Sequence, residues 1–266
     1  MKIAIYRNRT KEDSAAIFDR ITLAIDKEGA SWYEVTDETS LAPSTDCFIV
    51  IGGDGTILTK SSLAYLACVP VWAVNAGTLG FLAESPLGLE QKVARLVSGD
   101  YRLLNRGVIA VSCEGHLFEG INDVCVSRGA AMQTLHISVN AVGHQIYDYR
   151  GDGMVVATPT GSTGYSLSAG GPVLSPEAEA LILTPVCPHS FGVRPVVLKE
   201  DSLVKVRADC LSDGVVTVDG IAVHSFQQSI EFTVTKSNRS ARFICLEEVD
   251  FFQKLEDKLN SHRKVR

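Results

Sequence analysis

The stretch CFIVIGGDGTIL, from Cys47 to Leu58, constrains the fold more than any other part of the chain. An unbroken apolar run, Cys47 to Ile51, ends on Gly52-Gly53-Asp54-Gly55-Thr56, and a helical pattern follows from about Ile57 to Ala67. A strand apolar at every position is buried on both faces, which calls for a parallel sheet covered by helices. The first hundred residues repeat this alternation. Lys2 to Tyr6 reads as a strand, and Ile17, Ile21, Ala24 and Ile25 form a helical stripe behind a capping-box-like Thr10 and Asp13. Strands are also expected at Ser31–Val35 and Val71–Val74, and a helix from about Leu87 to Val97 that stops at Ser98-Gly99-Asp100.

From Tyr101 the texture changes to short strands with period-two alternation: Val108–Cys113, Val124–Ser127, Leu135–Val139, Gln145–Tyr149, Leu203–Ala208, Val215–Val218 and Ile230–Thr235. Turn residues separate them, notably Asn140–Gly143 and Asp219-Gly220. The tail, Glu248 to Arg263, is helical again, with Val249, Phe252, Leu255 and Leu259 on one face. The expected fold is an N-terminal α/β domain with a parallel sheet over residues 1–100, then a mainly antiparallel β domain over 101–247. The helix 248–266 returns to the first domain.

A net charge of −6 over 266 residues argues against a general nucleic-acid binder, which carries a basic face. No apolar run reaches the roughly 18 residues of a membrane span, and the amino terminus reads as a strand rather than a signal peptide. A cytoplasmic protein is expected. The 7 cysteines lack C-x-x-C spacing and are odd in number, which fits buried, reduced thiols. The 6 histidines form no ligand cluster, so no structural metal site is expected.

In open parallel sheets, ligands bind beyond the carboxyl ends of the strands, where Gly52 to Thr56 falls. Glycine lets the main chain approach a ligand, and the head of the next helix offers unpaired N–H groups to a phosphate. A carboxylate there is a poor phosphate partner unless it holds a metal ion or takes a proton from an attacking hydroxyl. The alternative is a tight turn in which Asp54 caps the helix. The segment is neither a Walker A loop, since Thr59 precedes Lys60, nor a dinucleotide fingerprint, since Leu58 takes the third glycine position. Asn75-Ala-Gly-Thr-Leu-Gly-Phe81 follows the next strand and lands on the same rim. The segment Gly151–Pro172 packs glycines and hydroxyls around the apolar Met154–Ala157. An ordered loop of that kind suits a ligand rich in hydroxyls, such as a nucleotide.

Together GGDGT, NAGTLGFL, Asn122-Asp123 and TPTGSTGYSLSAGGP resemble the NAD kinases of the short bacterial type, with support from PHSFGVRPVVL (Pro188–Leu198) and Val218-Asp219-Gly220. The resemblance implies transfer of the terminal phosphoryl group of ATP or polyphosphate, with Mg²⁺ carried on the donor phosphates, to the 2′-hydroxyl of the adenosine ribose of NAD. It makes Asp54 the general base and brings Gly52, Gly53 and Gly55 to the donor phosphates. Phe81 joins the nucleotide site, Asn122 and Asp123 contact the adenosine half, and Arg150 and Asp152 lie at the NAD site. Thr160, Thr163, Gly164, Tyr165, Ser166 and Ser168 line the pocket. A homodimer or homotetramer is implied, with parts of the NAD site completed across subunits. The chain departs from the family pattern at Gly164 (usually Ala), at Ile221 (commonly Gln) and at Gln133 (often basic); Arg150 fits members that prefer NAD over NADH.

GGDGT is shared with lipid kinases, but a lipid acceptor needs an apolar cleft and the second motif is polar. A non-catalytic nucleotide sensor would not need a base at position 54, and a flavodoxin-like module accounts only for the first hundred residues. His224, His189 and Arg194 read as structural or interface groups. Arg263, Lys264 and Arg266 read as a solvated helix end.

Overall fold

The computed structural model describes residues 1–36, 40–77, 80–129, 133–248 and 251–261, with the side chains of 259–261 excepted. The chain forms two units, Met1–Asn105 with Ala241–Arg266, and Arg106–Ser240. In the first, β1 (Lys2–Arg7), α1 (Ser14–Lys27), β2 (Ser31–Glu34), β3 (Cys47–Gly52), α2 (Asp54–Leu66), β4 (Val71–Asn75) and α3 (Leu89–Ser98) alternate as the apolar runs foretell. The sheet order is β2-β1-β3-β4, parallel throughout. Every residue of β3 and β4 is buried, so these strands carry no polar face. The core gathers Ile3, Ile5, Ile49, Ile51 and Trp72 with the inner faces of α1 and α3. Thr10 and Asp13 make no capping box: Asp13 occupies the cap without a side-chain bond, while Thr10 hydrogen-bonds to Asn8.

The second unit is antiparallel. It holds β5 (Arg102–Cys113), β6 (His116–Gly120), β7 (Asp123–Arg128), β8 (Leu135–Ala141), β9 (His144–Gly151), β10 (Gly153–Ala157), the short α4 (Tyr165–Ser168), β11 (Ala180–Val186), β12 (Val196–Lys199), β13 (Val204–Asp209), β14 (Gly214–Val218), β15 (Ile221–Phe226) and β16 (Ser229–Cys245). One sheet runs β12-β11-β10-β7-β14-β15, and the other contains β16-β13-β8-β9 with β5 and β6. Alternate residues of both, among them Val126, Ile137, Met154, Leu183, Val206 and Phe232, share one core. The hairpin turns Glu114-Gly115, Val142-Gly143 and Asp219-Gly220 have positive φ at both residues, the geometry that matches the twist of the flanking strands.

The chain passes between the units within β5 and within β16. Once back in the first unit, Phe243 of β16 pairs with Val71 in parallel, and the helix α5 (Phe251–Ser261) follows. Val249 of the tail stripe, the side chain of Leu259 and the basic end Arg263–Arg266 lie outside the described residues. The return is held by a buried acid. Glu84, 5% exposed, accepts the Trp72 indole N–H at 3.0 Å and the backbone N–H groups of Leu246 and Glu247 at 2.7 and 3.1 Å. Lys92 pairs with Glu247, and Arg95 donates to the Leu246 carbonyl. Removing the Glu84 carboxylate strands three donors in the interior. Glu84→Ala should therefore cost about 3 kcal/mol in urea unfolding. Glu84→Gln should cost less, because its amide oxygen keeps the two backbone donors.

Candidate functional site

In the first unit β3 delivers its chain to the head of α2. Gly53, in extended conformation, is the cap residue, and Asp54 stands in the first turn of the helix. The capping alternative for Asp54 is thereby set aside: its carboxylate turns away from its own helix. Oδ2 accepts the Phe81 N–H at 2.7 Å and Oδ1 the Leu82 N–H at 3.1 Å. Gly80 makes this possible, since a Cβ there would fall 1.8 Å from Oδ1. Lys258 of α5 brings its Nζ to 3.7 Å from Oδ2 and lies 4.1 Å from the centroid of the Phe81 ring. Phe81 also meets Phe251, at 6.0 Å between centroids. The segment Asn75–Phe81 thus closes on Asp54; Thr78 and Leu79 within it lie outside the described residues.

A Cβ at Gly53 or Gly55 would meet no atom within 4 Å, so protein packing does not require glycine at either position. Gly52 does answer to packing, because its Cβ would strike Thr56. The Thr56 hydroxyl accepts from the Asn8 amide at 2.7 Å.

In the second unit the Asn122-Asp123 pair is held from the β14–β15 turn. The Asp219 carboxylate accepts the backbone N–H groups of Ile121, Asn122 and Asp123 at 2.8, 2.8 and 3.2 Å. From the other side, Thr158 donates its N–H to the Asn122 carbonyl at 2.8 Å. Gly161 packs so close that a Cβ would sit 2.1 Å from that same oxygen. A Cβ at Gly164 would lie 3.3 Å from Asn122 Nδ2 and 3.8 Å from Asp123 Oδ2.

One side-chain atom at the centre of this clamp is unsatisfied among the described residues. Asn122 Oδ1 is buried without a hydrogen-bond partner. Asp123 is 6% exposed, and among the described residues no donor reaches its carboxylate. Burial, and then the neighbouring Asp219, push its pKa up to about 7. Burial raises Asp219 as well, but its three backbone donors oppose the shift. Burial thus opposes ionisation of both carboxyls, and only Asp219 has backbone donors that offset it.

The other expected site residues divide. Tyr165 is 45% exposed, and its phenol is raised by burial first and then by charges that include Asp152 and Asp123. Thr163 bonds to the Thr160 carbonyl at 3.2 Å, and Ser168 is exposed. Ser166 is fully buried, and its hydroxyl and that of Thr184 hydrogen-bond at 2.8 Å, which braces the loop. Asp152 is engaged by Arg128 at 3.0 Å, while Arg150 is exposed on β9 opposite His136. Arg194 stitches its own loop by donating to the Phe191 and Val193 carbonyls, and His224 is half-buried on β15. The sequence reading missed the Asp219 clamp and the Lys258 contact. An aspartate as first residue of a two-residue turn was the available signal for the clamp; none marked Lys258.

Comparison with known proteins gives consistent matches. Residues 7–101 match the family model described as the ATP-NAD kinase N-terminal domain, and residues 121–246 match the ATP-NAD kinase C-terminal domain. An NAD kinase of Lachnoclostridium phytofermentans is 32% identical, covering 97% of this chain and 98% of that protein. One of Heliobacterium modesticaldum is 37% identical over 82% of this chain and 80% of its own. The crystal structure of an NAD kinase from Archaeoglobus fulgidus in complex with ATP aligns with a TM-score of 0.82 at 27% identity, covering 98% of this chain and 99% of that one. Yeast NADH kinase complexed with NADH shares the fold, with a TM-score of 0.89 at 22% identity over 100% and 89% of the two chains.

The raised pKa of Asp123 has a signed consequence for the ligand-free protein. The folded state holds the Asp123 proton more tightly than the unfolded chain, whose aspartates titrate near about 4. The stabilisation is complete below that value and is lost as pH rises to about 7. Thermal melts from pH 4.5 to 8 should show Asp123→Asn gaining on the wild type as pH rises; parallel curves would remove the shift.

Proposed function

Because the chain belongs to the NAD kinase family, we propose that its first unit binds the phosphoryl donor and supplies the base, while its second unit binds the adenosine half of NAD. The reaction is ATP-dependent phosphorylation of NAD at the 2′-hydroxyl of its adenosine ribose, giving NADP. The observation that carries the assignment of roles is the Asp54 carboxylate at the head of α2, beside two glycines with open space on their Cβ sides.

Asp54 acts as general base. Each of its oxygens accepts one backbone N–H, and an ionised carboxylate offers about four acceptor positions, so lone pairs remain for the substrate hydroxyl. The two amides fix the direction of the carboxylate, which is what a transfer governed by positioning needs. As the 2′-oxygen bonds to the terminal phosphorus, its proton passes to Asp54 and the bridging P–O bond breaks, leaving the electron pair on the departing phosphate. Gly53 and Gly55 expose main-chain N–H groups to the donor phosphates. Magnesium carried with the donor neutralises phosphate charge. Among the described residues no group of three His, Cys, Asp or Glu could cage a metal ion.

Asn122 and Asp123 receive the adenosine. The unpaired Asn122 Oδ1 accepts an amino or hydroxyl donor, and Asp123 accepts a ribose hydroxyl, with Gly164, Thr163 and Tyr165 as further lining. Arg150 and Asp152 are assigned to the nicotinamide half on the family resemblance. We assign a homodimer or homotetramer on the same ground, and mass measurement in solution tests it. No helix among the described residues is long and apolar enough to cross a membrane; a cytoplasmic location is part of this proposal.

The test is NADP formation from NAD, ATP and Mg²⁺ by purified protein, with Asp54→Asn beside it. A general base contributes about 10²- to 10⁴-fold, so the variant should lose that much of kcat while staying folded and keeping its affinity for NAD, with a lower melting temperature because the new amide nitrogen cannot accept one of the two backbone N–H groups. Near-normal turnover by Asp54→Asn would remove the base assignment. Absence of NADP from the wild type would remove the reaction.

A further inference from the structure

The helix α5 carries lysine where an amphipathic helix carries apolar residues. Its half-buried positions are Phe251, Lys254, Leu255 and Lys258, the i, i+3, i+4, i+7 spacing of one face, while Phe252, Gln253, Glu256 and Asp257 are exposed. Phe252, placed by the sequence pattern on the inward stripe, is 64% exposed and lies off it. Two of the four inward side chains are therefore cations. That face lies along the segment that binds Asp54. Phe251 meets the Phe81 ring at 6.0 Å, Lys254 donates to the Ala83 carbonyl at 2.8 Å, and Lys258 Nζ stands 4.1 Å from the Phe81 centroid.

The two lysines differ in what they face. Lys254 is taken up by a backbone carbonyl, and burial lowers its pKa against the opposing charges of Glu84, Asp54 and Glu247. Lys258 brings Nζ to 3.7 Å from Asp54 Oδ2, the oxygen that also accepts the Phe81 N–H at 2.7 Å. The side chains of this pair are 34% and 32% exposed, and an ion pair so placed adds little to stability. An apolar side chain of the same length would pack on the Phe81 ring without desolvating a charge. What it would not supply is a positive charge fixed beside the carboxylate. A phosphoryl donor arriving at the head of α2 brings negative charge, which repels a carboxylate. The Phe81 and Leu82 amides aim Asp54 but carry no net charge to offset that repulsion.

We propose that Lys258 is a positioning residue for the reaction: its ammonium, steadied on the Phe81 ring, holds the Asp54 carboxylate against the Phe81 and Leu82 amides while the negatively charged donor is bound. The proposal rests on the NAD kinase reading, with Asp54 as the base. In this role Lys258 contacts neither NAD nor the donor and acts only through Asp54. The C-terminal helix thereby serves the chemistry as well as the core.

Two measurements test it. The first is a double-mutant cycle in kcat for NADP formation, with Lys258→Met, Asp54→Asn and the double variant. Methionine keeps the apolar stem against Phe81 and removes the charge. Lys258→Met should lower kcat by roughly ten- to a hundredfold, the scale on which misplacement of a reacting group acts, with both KM values within about twofold. Lys258→Arg should recover most of that loss. In the Asp54→Asn background Lys258→Met should change kcat by less than about twofold, because the residue it acts through is already gone. A loss that multiplies in that background overturns the proposal, as does a rise confined to the KM for ATP, which marks a direct phosphate ligand. Full kcat in Lys258→Met beside a slow Asp54→Asn removes the positioning role and leaves the base. The second measurement needs no turnover: hydrogen exchange at the Phe81 and Leu82 amides with ATP and Mg²⁺ present. Exchange should be several-fold faster in Lys258→Met than in the wild type. Equal exchange overturns the proposal. Faster exchange in a protein whose Asp54→Asn turns over normally leaves the contact standing and removes the base. Lys258→Gln replaces Lys258→Met in both measurements if the latter does not fold.

Discussion

The Asp54 carboxylate ties together three stretches of chain that are remote in sequence: the head of α2, the segment after β4, and the C-terminal helix. Its two oxygens take the Phe81 and Leu82 amides, and Lys258 faces one of them at 3.7 Å. A single ordinary side chain at position 80 would forbid the contact. The orientation of the carboxylate is therefore built into the fold, and in the proposed role of base it would need no reorganisation during proton transfer. It also gives α5 a function at the site. Phe251 packs on Phe81, Lys254 donates to the Ala83 carbonyl at 2.8 Å, and Lys258 closes on Asp54. The Glu84 anchor, one residue further on, holds the chain on its way into that helix.

The second unit solves a different problem by similar means. Asn122 and Asp123 have their backbone tied, to Asp219 on one side and Thr158 on the other, while the buried Asn122 Oδ1 lacks a partner among the described residues. A protein selected for stability alone would not bury an unpaired amide oxygen beside two carboxylates. The arrangement is coherent when a ligand supplies the donors. A ribose hydroxyl bonding to Asp123 would favour its ionised form, opposing the shift that burial imposes.

Much of this was legible from local pattern. The strands β1, β3 and β4 announce themselves as apolar runs, and Asp219-Gly220 as a hairpin turn. The edge strands β12 and β15 did not, because edges carry little alternation. The strand β11 did not because Leu181 to Val186 is buried at every residue and shows no period. The strand β16 runs on to Cys245, ten residues beyond the expected Thr235, through the polar Lys236–Arg239. Ser237 and Arg239 there pair with Glu119 of β6. Roles set by distant partners, such as Glu84 with Leu246 or Asp54 with Lys258, leave no mark in a window of neighbours. The second motif was read as one ligand-binding loop, with Gly164 the one glycine of it expected in the pocket. Gly161 and Gly171 answer instead to the Asn122 carbonyl and to Ser166, so packing accounts for part of that signature.

Cations around the donor rim already have company. Arg7 and Arg9 lie on Glu34, Lys258 on Asp54 and Phe81, and Lys60 over the Tyr6 ring at 4.5 Å. A strongly hydrated lone cation would have to be desolvated and ordered when the donor bound; a cation held by a carboxylate or a ring is already in position.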